Sequence, residues 1–119
     1  MFSSPSRLLT DEQRTLMLAN GACTAGGAEV DYAPVVKLFT PDAQCTWLLT
    51  ELDPVDPDIA FGLCDLGMGF PELGCVRISE LQRVRGPMGL RVERDLYFAP
   101  DRTLSQYADA ARKTGYIQT

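Results

Sequence analysis

Residues 34–78 read PVVKLFTPDAQCTWLLTELDPVDPDIAFGLCDLGMGFPELGCVRI. Three breaks divide this stretch. Thr40-Pro41-Asp42-Ala43 carries proline at the second position of a turn. Asp53-Pro54-Val55-Asp56-Pro57-Asp58 sets two prolines among three aspartates, and Gly67-Met68-Gly69-Phe70-Pro71 is rich in residues that tolerate tight bends. The segments between, 34–39, 45–52, 59–66 and 72–78, carry the β-branched and aromatic side chains of strands. In the third, Ile59, Phe61 and Leu63 fall on one face. Consecutive strands with short links pair antiparallel, so the stretch predicts a four-stranded antiparallel sheet.

On the N-terminal side, Thr10 and Gln13 form a capping-box pattern, with Asp11 and Glu12 in the first turn where the helix dipole favours them. Leu16, Met17 and Leu18 supply apolar surface, and Asn20-Gly21 reads as a stop, so a helix is expected over 11–20 and a loop over 21–33. On the C-terminal side, Ser79 and Gln82 give a second capping box, opening a helical turn to about Arg85 that Gly86-Pro87-Met88-Gly89 breaks. Residues 90–98 begin by alternating apolar and charged side chains, as a fifth strand or a half-buried extended segment does. Thr103 and Gln106 give a third box; Leu104, Tyr107, Ala108 and Ala111 line one helical face, and Gly115 follows Arg112 and Lys113. The expected fold is α+β: one domain over 1–119, a mainly antiparallel sheet of four to five strands, and both terminal helices on one of its faces. Residues 1–9 are expected to be a loosely ordered segment.

The 119 residues include no histidine, which removes Ser-His and Cys-His catalysis, histidine-ligated metals and the common pH switch. This weighs against an enzyme and leaves carboxylates, lysine, tyrosine and cysteine as the groups an enzyme would have to use. Cys23, Cys45, Cys64 and Cys75 form no CxxC pair, so they read as reduced, buried thiols. The start has neither a basic nor an apolar leader region, and no stretch is long enough to span a bilayer. A cytoplasmic location without membrane contact is expected.

Charge is uneven. Residues 29–72 hold nine acids against Lys37 alone, a net of −8, whereas residues 73–119 sum to +3 and the whole chain to −5. Asp53, Asp56 and Asp58 are the densest carboxylates, but the prolines interrupt the spacing of a calcium loop, so they read as a solvated turn. Gly67-Met68-Gly69 lacks the following helix of a phosphate loop. Trp47, Phe61, Tyr97 and Phe98 are expected in the core. Arg77, Arg83, Arg85, Arg91 and Arg94 form the region best suited to contact anions. Around them, Glu93, Arg94 and Asp95 are expected to form a charge lock, with the arginine between two carboxylates.

Lys37-Leu38-Phe39, Thr46-Trp47-Leu48, Phe61-Gly62, Ile78-Ser79-Glu80-Leu81 and above all the block from Gly89 to Phe98 resemble a family of small bacterial proteins of unknown function, encoded on plasmids, integrative elements and phage-like islands. The resemblance covers about 65 residues and implies an accessory protein of a mobile element. It carries no activity, catalytic residue, metal or cofactor with it. The reading is therefore a non-catalytic protein that acts by protein–protein interaction, with Asp53, Asp56, Asp58, Arg91, Glu93, Arg94 and Asp95 as the candidate surface. One variant is an acidic inhibitor of a host defence or nucleic-acid enzyme. The alternative is a nucleic-acid-binding accessory that uses the arginines of 77–94.

Overall fold

The structure, a computed structural model, describes residues 8–119. The stretch 34–78 folds as its breaks dictate. Strands β1 (Val36–Phe39), β2 (Thr46–Leu52), β3 (Ile59–Asp65) and β4 (Glu72–Arg77) form an antiparallel meander. A fifth strand, β5 (Glu93–Arg94), pairs with the other side of β1, giving the order β4-β3-β2-β1-β5. Among the described residues, three helices complete an α+β domain: α1 (Asp11–Ala25), α2 (Ile78–Arg83) and α3 (Leu104–Thr114).

The helices do not share a face. Trp47 and Leu49 of β2 pack with Val36, Leu38, Ala60, Met17 of α1 and Ile78 and Leu81 of α2. Leu48, between them and pointing the other way, packs with Leu63 and with Leu104, Tyr107, Ala108 and Ala111 of α3. The expectation that both terminal helices cover one face is thus corrected. The central strands are apolar on both sides, with Trp47, Leu48, Leu49 and Thr50 all buried, and each side needs a cover. Leu8 and Leu9 are buried in the first cluster; residues 1–7 of the expected loose segment lie outside the described residues.

Helix α1 starts with the expected Thr10–Gln13 capping box, both bonds at 3.0 Å. It does not stop at Asn20-Gly21 but runs to Ala25. Pairing of β1 with β2 ends at Val36↔Leu49, and the β2 register shifts between Leu49 and Glu51. Helix α1 meets the stretch left without β1. Asn20 donates its side-chain amide to the Thr50 carbonyl at 2.9 Å, and Thr24 donates its hydroxyl to Glu51 at 2.6 Å. Gly21 sits so close that a Cβ there would lie 1.7 Å from the Leu52 carbonyl oxygen. The glycine is a close-approach residue inside the helix, not its end.

The second expected capping box also resolves differently. Helix α2 begins at Ile78, and Asp58 of the β2–β3 turn reaches across to accept from the Ser79 N–H at 2.9 Å and the Ser79 hydroxyl at 2.7 Å. For α3 the expected box stands: the Gln106 side chain accepts from the Thr103 N–H at 2.9 Å, and Gly115 closes the helix at φ 85°. All four cysteines are free. Cys45 and Cys64 are half-buried, but Cys23 and Cys75 are exposed, which corrects the buried reading for those two. Burial, with Cys75 as a lesser cause, pushes the Cys64 thiol up to about 11.

Candidate functional site

The seven candidate residues fall into two groups that the fold keeps apart. Asp53, Asp56 and Asp58 occupy the β2–β3 turn. Arg91, Glu93, Arg94 and Asp95 lie around β5, at the border of the sheet beyond β1. Three strand spacings, roughly 14 Å, separate β3 from β5.

In the first group the carboxylates act within the chain. Asp53 accepts from the backbone N–H of Val55 at 2.8 Å and Asp56 at 3.3 Å, tightening the turn. Arg77 lies 3.1 Å from Asp56 and 3.5 Å from Asp58. The Ser79 hydroxyl above all, with the Ser79 N–H and Arg77, holds the Asp58 carboxyl below its usual range; Asp56 chiefly raises Arg77.

Three more acids of the middle segment also hold contacts within the chain. Asp65 is 3% exposed and accepts from the N–H groups of Gly67 at 2.8 Å and Ile117 at 3.0 Å. Glu51 holds Thr24. Asp42 accepts from the Met88 N–H at 2.7 Å and the Leu90 N–H at 3.3 Å. In this segment of net −8, five of the nine acids are buried or half-buried and Glu29, Asp31, Asp53 and Glu72 are exposed. The carboxylates of Asp42, Asp53, Asp58 and Asp65 serve as turn locks and helix caps.

The second group is built on the 86–90 turn. Arg85 bridges Arg91 in an antiparallel pair, Gly86 donates its N–H to the Leu90 carbonyl at 2.9 Å, and Gly89 takes φ +78°. Asp42 braces this turn from the β1–β2 connection. Its Oδ1 is buried and, among the described residues, finds no hydrogen-bond partner; it lies 1.6 Å from where a Gly86 Cβ would be. Glycine at 86 is what lets the carboxylate in.

Beyond the turn, Glu93 and Arg94 oppose Phe39 and Leu38 and so point to opposite faces. Asp95 does not close the expected lock with Arg94. Its carboxylate lies 3.6 Å from Lys37 and accepts from the Tyr97 N–H at 2.8 Å. Gly89, Leu90, Arg91, Glu93, Arg94 and Leu96 line a groove of about 610 Å³.

Large apolar side chains stand in water along this border. Met88 is 80%, Leu96 71% and Tyr97 92% exposed, and Leu90 is 47% exposed. Tyr97 is thereby corrected from core to surface, whereas Trp47 is buried and Phe61 and Phe98 pack partly against the α3 cluster. The alternation of 90–98 covers only its beginning, and strand pairing stops after Arg94, so Leu96 and Tyr97 have no paired strand to pack on. Apolar anchors beside guanidinium groups are the composition of protein interfaces, where Arg adds forked hydrogen bonds to carboxylates. Among the described residues, no helix is long and apolar enough to cross a membrane.

A family model described as "Protein of unknown function (DUF2958)" matches residues 8–118. No curated protein and no solved structure matches the chain.

Proposed function

We propose that this chain, which belongs to the DUF2958 family, is a non-catalytic protein-binding module whose contact surface is the groove beside β5. The observation that supports the reading is the row of Met88, Leu90, Leu96 and Tyr97 left in water around Arg91, Glu93 and Arg94. Large apolar side chains grouped with arginine mark interaction sites more than single exposed leucines do. The partner segment is apolar with a carboxylate, matched to the groove's leucines and to Arg91. The proposal keeps the setting that the resemblance implies, an accessory protein of a mobile genetic element.

The test is a photo-crosslinking residue placed at Tyr97 in the cells that carry the gene, with Val55, equally 92% exposed in the β2–β3 turn, as the matched control. A protein adduct from position 97 that Arg91→Glu diminishes is the expected result. Adducts equal at both positions, or to nucleic acid instead of protein, overturn the reading; the latter favours the arginine-based alternative.

A further inference from the structure

The opposite border of the sheet carries a different feature. Strand β4 has β3 on one side and, among the described residues, no hydrogen-bonded strand on the other. Sheet proteins usually guard such an edge with proline, a bulge or an inward-pointing charge. Strand β4 has none of these: it reads Glu72-Leu73-Gly74-Cys75-Val76-Arg77, and its pairing with β3 is regular from Cys64↔Glu72 to Ile59↔Arg77.

The phase of the edge can be read. Ile78 donates its N–H to the Asp58 carbonyl at 2.8 Å. In a regular antiparallel ladder the N–H groups of Val76, Gly74 and Glu72 then also face β3, and those of Leu73, Cys75 and Arg77 face outward. The outward set is symmetric about Cys75. A second strand of the same sequence, run antiparallel, matches Cys75 to Cys75 and Leu73 to Arg77, with every outward donor opposite an outward acceptor.

We propose that a second copy of this chain docks on β4, about a two-fold axis through Cys75, to make one continuous sheet across two molecules. The strand's charge pattern selects this orientation. Parallel in-register copies would set Glu72 against Glu72 and Arg77 against Arg77, like charges directly opposite, whereas the antiparallel register sets Arg77 opposite Leu73 and Glu72 opposite Ile78. Strand contact alone falls short of the roughly 1,000 Å² of a stable interface. The β3–β4 turn supplies more: Met68 is 71%, Phe70 81% and Leu73 40% exposed, and the antiparallel register lays that turn beside the start of α2 in the second copy.

Sedimentation equilibrium of the full chain in reducing buffer tests this. A mass twice 13.1 kDa is expected, dissociating on dilution. Cys75→Pro removes an outward N–H and no β3 bond, so it should yield a folded monomer with an unchanged circular dichroism spectrum. Leu73→Lys, which charges the same edge without touching the backbone, should weaken association at least tenfold. A short bismaleimide should link two copies of a Cys23→Ser chain, because hydrogen-bonded antiparallel neighbours have Cα atoms about 5.5 Å apart, and should fail on Cys75→Ser. A mass of 13.1 kDa at every concentration overturns the proposal, as does a dimer that both Leu73→Lys and Cys75→Ser leave intact in their respective assays. Because β4 and β5 lie at opposite borders of the sheet, this result is independent of the partner surface beside β5.

Discussion

Gly21 and Asp42 show how single residues decide this structure. In a free helix, replacing glycine by alanine gains about 1 kcal/mol. At position 21 the sign reverses, because the added Cβ meets the Leu52 carbonyl oxygen at 1.7 Å and the helix must move off the strand. Gly21→Ala is therefore expected to destabilise by about 3 kcal/mol. Gly26→Ala, whose Cβ would lie 3.4 Å from the nearest atom, should stay within about 0.5 kcal/mol. Urea midpoints of the two variants separate these outcomes. Asp42→Ala leaves the N–H groups of Met88 and Leu90 without their acceptor. The expected loss is about 1–2 kcal/mol, with faster amide exchange at Met88 and Leu90 and little change in β2. Equal exchange in both places would show that the turn does not depend on this carboxylate. Neither role was legible beforehand. Asn20-Gly21 has the local chemistry of a helix end, and Asp42 that of a turn. Only partners 31 positions away for Gly21, and 44 to 48 away for Asp42, turn those residues into contacts across the fold.

At the scale of elements, the sequence spoke most clearly where signals were local. The breaks at 40–43, 53–58 and 67–71 placed the four strands of the meander to within two residues, and the apolar face of α3 emerged with its Thr103 and Gly115 boundaries. What stayed hidden were the long-range substitutions for local caps. Ser79 has the spacing of a helix cap, but Asp58, 21 positions earlier, does that work. This exchange has a pH consequence. The Asp58 carboxyl is held below its usual value of 3.8, first by the Ser79 hydroxyl. A carboxyl depressed in the folded state contributes stability in full above its unfolded pKa and loses it as pH falls through the folded value. Asp58→Ala should thus cost about 1 kcal/mol at neutral pH. The difference from the wild type should shrink once pH drops below about 3.8 and vanish at lower pH. A gap in thermal midpoint that persists undiminished at about pH 2 would assign the stabilisation to something other than the ionised carboxylate.

For the whole molecule, the sheet separates two apolar layers, and the second depends on α3 staying docked. The sequence gives little warning of this arrangement, because Trp47-Leu48-Leu49 reads equally as a strand with one buried face or two. Helix α3 has 11 residues, too few to persist alone in water, so its helicity reports its docking on Leu48 and Leu63. Its N-terminus is pinned from the α1–β1 connection. Leu104 donates its N–H to the Tyr32 carbonyl at 2.8 Å, Asp31 accepts from the Ser105 N–H at 3.1 Å, and the Ser105 hydroxyl donates to the same carboxylate. The hydroxyl bond is the leading cause that holds the Asp31 carboxyl below 3.8. The C-terminal end is pinned by Asp65 through the Ile117 N–H. If these ties hold one layer to the other, Asp31→Ala should lower amide protection in α3 by about tenfold, the loss of about one hydrogen-bonded cap. Protection in β2 and β3 should barely change, since their other face stays packed under α1 and α2. As pH falls toward the Asp31 range, the wild type should approach the variant, because the protonated carboxyl loses its charge-assisted acceptance. Hydrogen exchange followed across that range distinguishes a layer that can open on its own from a domain that opens only as a whole: in the latter, α3 and β2 would lose protection together in the variant.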